Sequence, residues 1–134
     1  MRRLQKVVSA ILIVPVLIVL TYFGFLWITY IDDTVVSGSK YGLSIGATKL
    51  QTYKDISTIQ KSYPKLKIYI SYGERAGDNM TLSPTMDSFK KIEKYDRWDL
   101  LLDGEGEFFN VIKLDYTNGA LVGIYRHRKY FEAP

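Results

Sequence analysis

Apolar positions divide the chain into one long run and a series of short periods. From Val7 to Ile31 (VVSAILIVPVLIVLTYFGFLWITYI) there is no charged residue. A helix of that length rises about 37 Å, more than the roughly 30 Å of a bilayer's hydrocarbon core. The run predicts a transmembrane helix over 7–31, with room for tilt. Beyond it, residues 41–46 alternate briefly and predict a short first strand. Thr48 and Gln51 have capping-box spacing, and Leu50, Tyr53, Ile56 and Ile59 fall on one face of a helix over 48–61 that Pro64 ends. Leu66, Ile68, Ile70 and Tyr72 alternate with Lys65, Lys67, Tyr69 and Ser71, the period of a half-buried strand.

After a loop-like stretch at 73–81, Ser83 as N-cap and Pro84 at the first helical position open a second helix whose face is Met86, Phe89, Ile92 and Tyr95. Trp98, Leu100 and Leu102 mark a further strand that breaks at Gly104-Glu105-Gly106. Asn118-Gly119 predicts a two-residue hairpin turn, which requires positive φ at both positions. An unbroken ladder from that turn would pair Tyr116 with Leu121, Leu114 with Gly123, Ile112 with Tyr125 and Asn110 with His127. The expected fold is α+β: one N-terminal transmembrane helix, then a small two-layer domain with two helices packed on an antiparallel sheet. That sheet ends in a three-stranded meander over 97–103, 107–117 and 120–130. The expected organisation is a cytoplasmic tip (1–6), the span (7–31), a tether (32–40) and an extracytoplasmic domain (41–134).

Charge assigns a direction. The chain carries 18 Lys+Arg against 14 Asp+Glu. Arg2, Arg3 and Lys6 precede the apolar run and every acidic residue follows it, so the basic balance is mostly a topology signal and not a nucleic-acid footprint. The expectation is an inner-membrane protein with its N-terminus in the cytoplasm and its C-terminal domain in the periplasm or outside. Trp27 and Tyr30 lie where amphipathic rings meet the outer interface, and Pro15 sits mid-span, where membrane helices tolerate it. Two rival readings exist for the run. A cleaved signal peptide has a shorter apolar region, although Val36-Ser37-Gly38 is a conceivable cleavage site. A buried core helix would need more protein around it than the remaining chain supplies. There are no cysteines, which removes disulfides, thiolate metal sites, a cysteine nucleophile and a lipidated cysteine.

The inventory of reactive groups is thin. His127, the single histidine, stands between Arg126 and Arg128 and reads as a strand residue rather than a base. Asp99, Asp103, Glu105 and Glu107 surround a turn without the spacing of a calcium loop. No catalytic, cofactor or metal residue is expected. Tyrosine is the conspicuous type, with 11 in the chain. Tyr63, Tyr69, Tyr72, Tyr125 and Tyr130, with Arg126 and Arg128, are the expected partner-binding residues, because tyrosine offers rigid area with a polar tip.

Residues 44–51 (SIGATKLQ) resemble the strand-to-helix "V-G-M-T-x-x-Q" motif of the SmpA/BamE-like envelope family, whose fold is related to the β-lactamase inhibitory proteins. Residues 112–124 (IKLDYTNGALVGI) are similar to that family's last hairpin, "L-x-F-x-x-G-x-L-x-x-I". The chain departs from the family in lacking a lipidated cysteine, in carrying an apolar span, and in having a second helix with a loop at 73–95. It also lacks an "L-G-x-P" after the first helix. The resemblance implies a small domain that binds another envelope protein or a toxin. The expected function is an accessory or assembly subunit of a bacterial envelope complex, with a membrane-anchored immunity or inhibitor protein as the alternative. Oligomeric state is not legible in the sequence.

Overall fold

The computed structural model describes residues 2–73, 80–104 and 109–129, of which residues 2–10, Met80 and Phe109 are described by backbone alone. The chain divides into two units between Tyr30 and Ile31. The first is helix α1, Arg2–Thr29, which continues through Pro15. Its segment Ile11–Thr29 is long and apolar enough to cross a membrane and has no fully buried residue; a signal sequence meets the same description. The Thr21 and Thr29 hydroxyls donate to the Leu17 and Phe25 carbonyls at 2.8 and 2.7 Å. The helix thus satisfies these two hydroxyls from its own backbone. Arg2, Arg3 and Lys6 lie on this helix, and Trp27 is 84% exposed.

The second unit is α+β. Strands β1 (Ile31–Val35), β2 (Ser39–Lys40) and β3 (Leu43–Ser44) precede helix α2 (Lys49–Ser62); β4 (Lys67–Tyr72) and β5 (Met80–Leu82) precede helix α3 (Met86–Ile92); and β6 (Arg97–Asp103), β7 (Phe109–Thr117) and β8 (Ala120–Lys129) follow. Six of the strands form one antiparallel sheet in the order β1-β8-β7-β6-β4-β5. The expected tether is therefore partly a strand. Ile31–Val35 pairs along β8 from Arg128 to Ile124, because the edge of β8 offers backbone partners that a free segment would leave to water.

Other boundaries move for physical reasons. The expected strand over 41–46 is a tight hairpin: Tyr41 and Gly42 turn at φ 58 and 76 between β2 and β3. Thr48 caps α2, its hydroxyl accepting from the Gln51 N–H at 3.2 Å. The Gln51 amide instead donates forward to Asp55 at 2.8 Å, so the reciprocal half of the capping box is not made. Leu50 is exposed, and Thr52, Tyr53 and Ile56 are the buried residues of that helix. Helix α3 begins two residues later than expected, with Thr85 rather than Ser83 at its N-cap, and Met86 is exposed.

The Asn118-Gly119 turn is as expected, with φ 52 and 78. The ladder beyond it is not. Tyr116 pairs with Leu121, but Asp115 pairs with Gly123, Leu114 with Ile124, Ile112 with Arg126 and Asn110 with Arg128. Val122 is the extra residue of a β-bulge, and one extra residue exchanges every later side chain of β8 between the two faces. Ile124 and Arg126 consequently join the helix-covered side, while Tyr125 and His127 turn to the other.

The core lies on that covered side. Trp98, fully buried, meets Tyr53, Phe89 and Tyr116 ring to ring, and its indole N–H donates to the Ile92 carbonyl at 3.1 Å. Tyr53 and Ile56 from α2 and Ile92 from α3 complete a cluster with Ile68, Ile70, Leu100, Ile112, Leu114 and Ile124 of the sheet. Lys49 ties the start of α2 to the turn before β6, reaching Asp96 at 2.7 Å and the Glu93 carbonyl at 2.8 Å.

Candidate functional site

Two places in the sheet unit offer themselves to a partner. One is the side of the sheet opposite the core. Successive strands there place Tyr69 beside Leu101, Leu101 beside Val111, Val111 beside His127 and His127 beside Asp32. The adjacent row runs Ser71, Asp99, Lys113, Tyr125 and Thr34. Tyr69, Leu101, Tyr125 and His127 are all half-buried. Tyr125 and His127 stack with centroids 6.4 Å apart and planes at 14°, and the Lys113 ammonium stands over Tyr125 at 5.9 Å. The surface is amphipathic, with the flat rings that protein interfaces favour beside charged side chains. Asp99 lies at its centre. Burial pushes its carboxyl above the usual range, opposed by Lys113 and Arg97.

The other place is a cleft between the end of α2 and the covered side of the sheet, with a cavity of about 570 Å³. Leu43, Ile56, Ile59 and Leu66 line it with Ile68, Leu100, Leu102 and Ile112; Tyr41, Tyr63, Asn110 and Arg126 supply its polar atoms. The Arg126 guanidinium sits over the Tyr41 ring at 4.6 Å and its Nη2 donates to Asn110 Oδ1 at 3.4 Å. The Tyr41 hydroxyl in turn donates to Asp33 at 2.7 Å, and Lys40 pairs with the same carboxylate at 2.6 Å. These two donors, Lys40 foremost, hold the Asp33 carboxyl below its ordinary value.

The expected partner-binding residues are thus dispersed. Tyr69 and Tyr125 share the open side. Tyr63, exposed at the end of α2, and Arg126 border the cleft. Arg128 pairs across to Asn110 and Ile31. Tyr72 is a correction: it is only 8% exposed and packs on Tyr95 at 5.2 Å, because its strand turns even-numbered residues toward the helices. Tyr130, Glu105 and Glu107 lie outside the described residues. Among the described residues, no three His, Asp or Glu side chains converge as metal ligands would. Sequence reasoning missed Leu101, Val111 and the cleft. The first two alternate with core residues and carry no separate signal, and the cleft depends on the bulge that brings Arg126 round. Comparison with protein-family profiles, with curated proteins and with solved structures finds no match to this chain.

Proposed function

We propose that this chain is a single-pass membrane-anchored binding module whose C-terminal domain lies outside the cytoplasm and captures another protein, as an accessory or assembly subunit of a bacterial envelope complex. In this reading α1 is the anchor, oriented by Arg2, Arg3 and Lys6. The domain is a two-layer unit, with α2 and α3 on one side of a sheet whose last three strands form a meander. The observation that carries the reading is the half-exposed strip of Tyr69, Leu101, Tyr125 and His127 on the side opposite the core. Rigid aromatic area beside screened charges is what binding hot spots are made of.

The test is capture from intact cells. Photocrosslinking residues placed at Tyr69 and Leu101 should yield one discrete adduct in carbonate-washed membranes, and a reporter active only outside the cytoplasm, fused after Pro134, should be active. Release of a shortened soluble form would overturn the anchor. Protection of cells against a toxin by expression of this gene alone would replace the assembly role with the immunity role.

A further inference from the structure

We infer, resting on the proposal that the open side of the sheet is an interface, that its partner is a second copy of this chain. The two copies pack face to face about a two-fold axis that runs along the strands between β6 and β7.

The register carries this arrangement. β6 and β7 are neighbours, with β4 on the far side of β6 and β8 on the far side of β7. A two-fold axis between the central pair lays β6 of one copy over β7 of the other, and β4 over β8, so each cross-strand row is reversed onto itself. In the row Tyr69-Leu101-Val111-His127, Leu101 then meets Val111 and Tyr69 meets His127. Aliphatic centre closes on aliphatic centre, with rings at both ends. In the next row Asp99 meets Lys113. In the row beyond, Arg97 meets Asp115; these two already pair within one chain at 2.9 Å, and two such pairs laid head to tail attract. The axis makes every one of these contacts twice, as an isologous interface requires.

Charge favours a second copy over a partner of one sign. Acid and base alternate across β6 and β7 in both polar rows, so a uniformly acidic or basic surface would meet like charge in each. Asp99 Oδ1 is buried and accepts no hydrogen bond in the single chain, and a second ammonium beside that carboxylate favours its ionised form. Like charges meet at one end of the face, Lys67 over Lys129, where water screens them. Area is sufficient. Five strands spaced about 4.8 Å apart, each of about seven residues, project about 600 Å² per copy, at the lower end of what stable interfaces bury. Facing sheets with strands along a common direction are also the usual aligned packing.

The experiment uses the full chain in mild detergent, as a mixture of isotopically labelled and unlabelled copies with a photoactivatable residue at Tyr69. The expected adduct has the mass of two copies and joins β4 of one to the β8 peptide carrying His127 of the other. Within one chain those strands lie three apart, about 14 Å, so β8 label reports the second copy. Asp99→Lys alone sets positive rows against each other and Lys113→Asp alone sets negative rows against each other; each should lower the dimer yield about tenfold. Mixing the two variants should restore it as a heterodimer. Arg97→Glu and Asp115→Arg make the same test if circular dichroism shows that either of the first pair does not fold. A two-copy adduct indifferent to these variants, or one that joins Tyr69 to α2, overturns the inference. Absence of a two-copy adduct overturns it too. In that event an adduct from Tyr69 to a different protein in intact cells keeps the interface reading, and no adduct at all ends both.

Discussion

The two sides of one sheet make the instructive comparison. Both are written by the same alternating strands, and each carries a row of aromatic and aliphatic side chains. On one side Tyr72, Trp98, Leu114 and Ile124 align across four strands and join the core cluster with Tyr53 and Ile56 of α2 and Ile92 of α3, all at 8% exposure or less. On the other, Tyr69, Leu101, Val111 and His127 align as closely, yet only Val111 is buried. The rows are alike, but their neighbours are not: the core side adds Ile70, Leu100 and Ile112, whereas the other side adds Ser71, Asp99 and Lys113. A single apolar row therefore does not identify the buried side; the row beside it does.

Substitutions should separate the two sides by their stability cost. Trp98→Ala removes the largest fully buried side chain and the partner of the Ile92 carbonyl. It should destabilise the domain by about 3–5 kcal/mol in urea unfolding. Leu101→Ala on the open side should cost clearly less, and equal costs would erase the distinction. Asn118-Gly119 replaced by Val-Val forces β-branched residues to positive φ and should cost about 1–3 kcal/mol. This would be visible as a lowered Tm, and no change would place the turn elsewhere. Tyr69→Ala or Tyr125→Ala should leave Tm nearly unchanged while weakening partner capture by about 1–3 kcal/mol. His127→Ala should weaken capture less than either tyrosine substitution, because Tyr125 keeps its own contact area when its stacking partner is removed.

Acidification gives a subtler contrast. The Asp99 carboxyl is pushed up by burial, so the folded state binds its proton more tightly than the unfolded state does. Its contribution favours folding below the unfolded carboxylate range and is lost as pH rises through the folded value. Asp99→Asn should therefore raise Tm at neutral pH relative to the parent, with the gain vanishing in acid. A gain that persists in acid would assign the effect to packing. Deletion of Val122 should also have a small effect. Since Tyr116 pairs with Leu121 and Asp115 with Gly123, leaving Val122 between them, removing the bulge residue restores a regular ladder without moving Ile124 or Arg126 to the other side. The domain should remain folded, with less loss of Tm than the turn replacement causes.

Much of this arrangement was legible in the residues and some was not. The cap at Thr48, the end of α2 near Pro64, strand β6 and the Asn118-Gly119 turn carry local chemistry that acts wherever the chain goes, so short motifs disclose them. The bulge carries only a weak mark, Gly123 inside the strand, and the shifted register is what places Ile124 beside Val35 and Leu114. Strand β1 was hidden for the converse reason. Asp32, Asp33 and Thr34 read as a polar tether, and edge strands are tolerant of such residues because one backbone side is paired while charge discourages further pairing. The open side was half legible, since tyrosine abundance marked Tyr69 and Tyr125 but gave no reason to set Tyr72 apart from them.

The account's central claim is that the domain presents its uncovered sheet side to a protein partner. The most direct measurement is a paired photocrosslinking scan in intact cells, with probes at Tyr69, Leu101 and Tyr125 on that side and at Lys54, Thr58 and Lys61 on α2. The account predicts a common adduct from the first set and none from the second. Adducts from the α2 probes alone would contradict it.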